Sequence, residues 1–232
     1  MRNSIGISKT TTLDACYAYR LPLGYGKLGF GLQASARHIR QDWTDTRLQG
    51  SQPISTDAAI PGEPTNKVVP NFGFGLYYQT KQYFVGFSVP RLLTNNIDFS
   101  QNGGILSREA RHFYLMGGGT IVLNESVEMT PQALIKYVGA APLDADLNVN
   151  FQLQKRFLAG LTYRTGSGKT SAGGESLDVL AGVQLNSALY FGLSYDIGLT
   201  QLRKYNNGSV EATLRYWLNP PSGAVIADPR EF

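Results

Sequence analysis

Asp144, Asp146, Asn148, Asn150 and Gln152 place acids and amides at every second position, with an apolar or small residue between each pair. Carboxylates two residues apart can hold calcium or share acid–base work. The same spacing also makes a hydrated ladder, paired with Lys and Arg of neighbouring strands, when one face of a strand meets water. The strict period of two favours the ladder, because a strand sends alternate side chains to opposite faces. Other chemistry is sparse. His38 and His112 are the two histidines, and neither has a His or Cys partner at metal-ligand spacing. Ser107 and Glu109 lie near His112, but close neighbours on one strand mostly point apart, and no Gly-x-Ser-x-Gly elbow is present. Arg108, Glu109 and Arg111 read as part of the same kind of polar network as the ladder. The run Thr165-Gly166-Ser167-Gly168-Lys169-Thr170 looks like the end of a phosphate loop, yet the glycine required five positions before Gly168 is replaced by Tyr163. A strand rather than a helix N-terminus is expected after it, so it reads as a hairpin loop. Cys16 stands alone, which excludes an internal disulfide; among apolar neighbours it is expected to be a buried, inert thiol. No catalytic residue, metal or cofactor is expected, and the chain does not read as an enzyme.

The elements that carry these residues are strands almost from end to end. From Leu143 to Gln154 every odd residue is apolar and every even one acidic or amide-bearing; a helix would smear both sets around its circumference. The same alternation runs through 13–21, 28–37, 72–78, 157–163, 177–185, 189–197 and 210–218, with less regular candidates at 82–90, 109–123 and 127–138. That gives about eleven strands of roughly 9–12 residues, the length a tilted membrane-crossing strand needs. Asn124-Glu125-Ser126, Gln154-Lys155-Arg156 and Asn186-Ser187 read as short turns, whereas 165–174 and 200–208 are longer and polar. The longest irregular stretch, 39–67, carries Pro53, Pro61 and Pro64 and is a candidate recognition loop.

Composition agrees. Of 232 residues 26 are Gly and 13 Tyr, and charged residues make up 16%, below the usual share of about 25%. Lys and Arg are scattered singly despite a net charge of +4, so no nucleic-acid stripe exists. No apolar run approaches the ~20 residues of a membrane helix, while a mean hydropathy of −0.17 suits a barrel whose lipid-facing residues are diluted by alternation. Soluble sandwich strands are shorter, about 5–6 residues, and Tyr17, Tyr19, Tyr78, Tyr163, Tyr195 and Tyr216 sit where aromatic girdles belong. The fold class expected is all-β: an antiparallel transmembrane β-barrel over residues 1–218, with about 11–12 strands in this chain, followed by a tail at 219–232.

One segment is more specific. Val69-Pro70-Asn71-Phe72-Gly73-Phe74-Gly75-Leu76-Tyr77-Tyr78, followed by Tyr83 to Pro90 and Leu92-Leu93, resembles the PorP/SprF family of the Bacteroidota type IX secretion system. The likeness continues through Arg108 to Tyr114, Pro131 to Lys136, Ala141 to Asp144, Asn148 to Phe151, Gly160 to Gly166 and Gly192 to Asp196, so it covers about Leu13 to Trp217. It makes Pro70, Asn71, Phe72, Gly73, Gly75, Tyr77 and Tyr78 the family-like motif. The resemblance implies a barrel in the bacterial outer membrane that assists secretion or holds secreted proteins at the cell surface. The partners it implies are outer-membrane lipid, the translocon, the periplasmic ring, a secreted protein's C-terminal domain and, in gliding bacteria, surface adhesins. A passive channel or small-solute transporter is the alternative. Two departures stand out. A signal peptide and an Asn-Pro-Ala-like segment are missing before Met1-Arg2-Asn3-Ser4, and the tail runs past the usual closing strand. Restoring the missing strands would bring the count to about fourteen, an even number that leaves no edge unpaired in lipid.

Overall fold

A computed structural model describes residues 1–42, 63–97, 108–139, 141–165, 176–200 and 207–218. Most of the 39–67 connection, Ser107, Gly166 to Thr170 and the 219–232 tail lie outside the described residues. Among those described there are thirteen strands and no helix: β1 (Arg2–Ile5), β2 (Ser8–Leu23), β3 (Gly26–Gln41), β4 (Thr65–Gln79), β5 (Tyr83–Val89), β6 (His112–Gly119), β7 (Ile121–Asn124), β8 (Val127–Val138), β9 (Asp144–Leu153), β10 (Phe157–Arg164), β11 (Ser176–Gln184), β12 (Leu189–Gly198) and β13 (Ser209–Tyr216). They form one antiparallel sheet in which each strand neighbours the next in sequence, except that β7 pairs only with β8, and β6 lies beside β8. All eleven sequence candidates fall on strands. The 109–123 candidate is two strands broken at Thr120, whose N–H donates to Gln82 O (2.7 Å), and Arg2–Ile5 adds a short first strand that pairs with Ser8–Thr11.

The chain divides into two compact units, one of Met1–Tyr19, Gly29–Gly75 and Ser88–His112, the other of Arg20–Leu28, Leu76–Phe87 and Phe113–Phe232. In the second unit the registers of β8 to β13 sort every side chain onto one of two faces. Leu161 is opposite Val149 on one side and Val179 on the other, and Tyr195 is opposite Val179 and Val210. Continuing these rows, the face contains only Ala, Val, Leu, Ile, Met, Phe, Tyr and Pro. It is also the more exposed face: Leu147, Leu161, Val179, Leu193, Val210 and Leu214 all stand open. The reverse face carries the acids, amides and hydroxyls and is partly covered.

The first unit shows the same inversion. Along β3 the burial alternates, with Phe30 and Leu32 open while Gln33 and Ser35 are sheltered. Along β4 Phe72 is 54% exposed and its neighbour Asn71 only 2%. Buried apolar side chains among the described residues are few: Ile39, Val69, Phe84, Val89 and Tyr190. A soluble sheet hides its apolar rows; here they are presented outward and polar groups are sheltered, which is the sidedness of a membrane β-barrel. Tyr17, Tyr19, Tyr163, Tyr195 and Tyr216 are among the exposed rings; Tyr78 is half-buried and donates to Leu23 O (3.2 Å).

Short turns close the hairpins as their residues dictate. Gln154 and Lys155 adopt φ of 51° and 53°, the left-handed pair of a type I′ turn, whose twist matches the flanking strands. Asn186 Oδ1 accepts from Ala188 N and Leu189 N (2.9 and 3.0 Å). Beyond that turn the Tyr190 ring lies on Gly182 and Gly192, filling the space that their missing Cβ atoms leave. The Arg215 guanidinium sits 5.7 Å from the centre of the same ring and 5.4 Å from that of Trp217.

Cys16 is a correction. It is exposed, because β2 has no second layer over either face from Leu13 onward.

Candidate functional site

Two polar clusters stand out, one in each unit. In the second unit the ladder residues Asp144, Asp146, Asn148, Asn150 and Gln152 share the polar face of β9, as the alternation requires. Lys136 on β8 lies directly opposite Asp144 and pairs with Asp146 (2.8 Å) and Asp144 (3.5 Å). Asn148 Nδ2 donates to Thr162 Oγ1 (2.8 Å). Further along the face, Arg164 Nη1 pairs with Asp196 Oδ2 (3.0 Å), which also accepts from Ser176 Oγ (3.3 Å). Asp178 is directly opposite Asp196. Asp144, Asp146 and Asp196 are thus met by cations and a hydroxyl, while Asp146 Oδ1, Asn148 Oδ1, Asn150 Oδ1 and Asp178 Oδ1 are buried without a partner among the described residues. Such a face can stay hydrated or take a polar ligand; among the described residues no three His, Cys, Asp or Glu side chains converge as metal ligands.

The second cluster is built on the family-like motif, and its centre is a carboxylate. Glu109, its side chain 5% exposed, meets Arg37 of β3 through Oε1, and Oε1 also lies 3.7 Å from Arg91 Nη1. Its Oε2 accepts from Asn71 Nδ2 (2.9 Å) and Asn95 Nδ2 (3.1 Å). Asn71 is fully used: Nδ2 also donates to Leu93 O (2.9 Å), while Oδ1 accepts from Phe72 N (2.9 Å) and Leu93 N (3.0 Å). Buried polar groups are tolerated when satisfied in this way, and one side chain supplies what a strand partner would. Leu92 N donates to Phe72 O (2.8 Å), Asn95 Nδ2 to Pro70 O (2.7 Å), Glu109 N to Asn95 O (2.9 Å) and Arg111 to Leu92 O (2.9 and 2.7 Å). Residues 90–96 and 108–111, joined by a bridge between Asn96 and Arg108, therefore form a strap fastened to the polar face of β4.

Gly73 permits that fastening. A Cβ there would lie 2.6 Å from Pro90 O and 3.1 Å from Pro90 Cα, and backbone cannot yield as a side chain can. Gly73→Ala is expected to lift the strap and cost about 1–3 kcal/mol; faster amide exchange at Leu92 and Leu93 would report it, and unchanged exchange would show that Pro90 moves freely.

Beside the strap a cavity of about 320 Å³ is lined by Cys16, Gly31, Gln33, Gly73 and Ser88 together with larger apolar side chains such as Phe74. The rest of the motif divides by direction. Phe72 points out from the apolar face, whereas Tyr77 packs against Phe84 (5.9 Å between ring centres) and over Gly86. The histidines contribute to neither cluster: His38 is exposed, and His112 Nδ1 lies 3.0 Å from Ala110 O. Sequence reasoning placed Glu109 in a network but missed Arg37, Arg91 and Asn95 as its partners. The available signal was one amide on the sheltered face of a Gly- and Phe-rich strand, and one acid among arginines.

Over residues 1–216 the chain matches the family described as Type IX secretion system membrane protein PorP/SprF. The chain belongs to the PorP/SprF family. No curated protein matches it. As a PorP/SprF member it is an outer-membrane component of the type IX secretion system, associated with other components of that system, and its family is one of secretion-system membrane proteins rather than enzymes. The motif that carried the resemblance is thus also what fastens the strap of this PorP/SprF chain, through Asn71, Pro70 O, Phe72 O and Gly73.

Proposed function

We propose that this chain is an accessory, anchoring barrel: it fixes itself in the outer membrane by its apolar face and holds a secreted protein's terminal domain, or a surface adhesin, beside the translocon and periplasmic ring. The strap is the observation that supports this reading over a passive channel. A solute pathway leaves its polar wall to water, whereas here the polar face of β4 is covered by residues fixed through a buried carboxylate. Rigid scaffolds commonly carry recognition on their loops, and the 39–67 connection is the candidate recognition surface.

Three measurements test it. In planar bilayers the intact protein is expected to be electrically near-silent; a large steady current would favour the channel or small-solute transporter, a reading that draws on the hydrated ladder of β9. Pull-down from native membranes is expected to recover secretion-system components and a secreted protein. Replacing residues 43–62 of the 39–67 connection by a short Gly-Ser turn, which leaves β3 (Gly26–Gln41) and β4 (Thr65–Gln79) intact, with assembly confirmed, is expected to abolish capture of the secreted protein. Undiminished capture would remove that loop from the interface.

A further inference from the structure

The strap is held in an unusual way. Leu92 and Leu93 remain exposed, so apolar burial does not secure it; its attachment is concentrated on Asn71 and Glu109. The cations around Glu109 are not saturated by it. Arg37 gives Nη2 to Oε1, while its Nε, enclosed by protein, meets no acceptor among the described residues. Arg91 is 46% exposed and its Nη1 stays 3.7 Å away, an ion pair without a hydrogen bond. The Nε–Nη2 edge of a guanidinium is one of the two that a carboxylate can engage with two parallel hydrogen bonds, and Glu109 uses half of it.

The geometry points to a carboxylate-binding site at Arg37 and Arg91, which Glu109 occupies as an internal stand-in for the carboxylate of an incoming polypeptide. A partner's acidic side chain or chain terminus, engaging both donors of Arg37, displaces Glu109. Because Glu109 also accepts from Asn71 and Asn95, its departure breaks the ties that join those amides to Arg37 and leaves the strap on β4 by its remaining hydrogen bonds alone, loosened at Leu92 and Leu93. The site would couple capture of the partner to that loosening, and in that biological role it rests on the anchoring reading. The chemistry itself can be tested without any secretion partner.

The test is chemical rescue on the full chain in nanodiscs, read by hydrogen exchange at Leu92 and Leu93. Loss of one member of a buried ion pair is costly, so Glu109→Ala is expected to speed exchange there roughly a hundredfold. Acetate should restore protection, acetamide should not, and acetate should fail when Arg37→Gln is added. If Glu109→Ala does not fold, Glu109→Gln, which keeps the shape and loses the charge, serves in its place with a smaller acceleration. On the wild-type protein, Ac-Gly-Asp-Gly-NH2 and Ac-Gly-Gly with a free terminus separate a side-chain from a terminal carboxylate: whichever accelerates exchange at the strap, with Ac-Gly-Asn-Gly-NH2 inert, names the source. Unchanged exchange in the Glu109 variants, equal rescue by acetamide, rescue without Arg37, or no response to either acidic peptide would each overturn the proposal. Failure to capture a secreted protein, with acetate rescue intact, would instead count against the anchoring role alone.

Discussion

Arginine in place of Leu161 is expected to lower folding stability in a bilayer by about 2–4 kcal/mol. Leu161 is 43% exposed, and on a soluble protein such a position would tolerate the change within about 0.5 kcal/mol. The difference is the solvent. Leu161 lies mid-strand on the face shared with Val149 and Val179, where no neighbour carries a charge and its cross-strand partners are both aliphatic. A guanidinium there loses water and gains no partner. Thr213→Arg, on the polar face of β13, is the control and should cost less than about 1 kcal/mol. Urea unfolding of protein refolded into lipid vesicles, followed by tryptophan fluorescence, measures both. Equal, small effects would mean that the Leu161 face does not contact acyl chains.

Tyr190→Ala should cost more still, about 3–5 kcal/mol, the range for removing a large buried aromatic side chain. The ring is 6% exposed although it belongs to a single sheet. What covers it is the sheet itself: the ring lies down on Gly182 and Gly192, with Arg215 above. Gly182→Val approaches the same joint from the other side. A Cβ at Gly182 would come within 2.7 Å of the Tyr190 Cζ, so the ring must rise, at about 1–3 kcal/mol. Because each change destroys the same contact, the double variant should be less damaged than the sum by at least about 1 kcal/mol. Additive losses would show that ring and glycine are energetically independent.

Period-two alternation made the strands legible, and with them the shared face of the ladder, because a strand's two faces are written into successive residues. The turns at Gln154 and Asn186 were legible for a similar reason: the conformation is local. The strap was not. Asn71 and Glu109 are 38 residues apart, and Arg37 and Glu109 are 72 apart; no local rule relates them, since register between distant strands decides which side chains meet. The family-like segment was visible as a resemblance, but the work of Asn71 and Gly73 appears only once Pro90 and Leu93 are beside them. Cys16 was misread because apolar neighbours suggest a core, and a one-layer sheet has none over that position. Thr120 interrupts its run just after Gly117-Gly118-Gly119, a local sign of a break, and its bond to Gln82 O fixes where the break falls.

The lengths of β9 to β13 set a preference for membrane thickness. These strands run 8–10 residues, about 26–33 Å along their axes at ~3.3 Å per residue. Tilted by about 40°, they reach only ~20–25 Å along the bilayer normal. That suits the apolar band of about 25 Å that outer-membrane barrels present, so a thicker hydrocarbon layer of about 30 Å would have to thin around them, at a fraction of a kcal/mol for each ångström of mismatch. Insertion should therefore be quickest into short-acyl lipids, and the protein should partition away from thick, ordered bilayers whatever partner it carries.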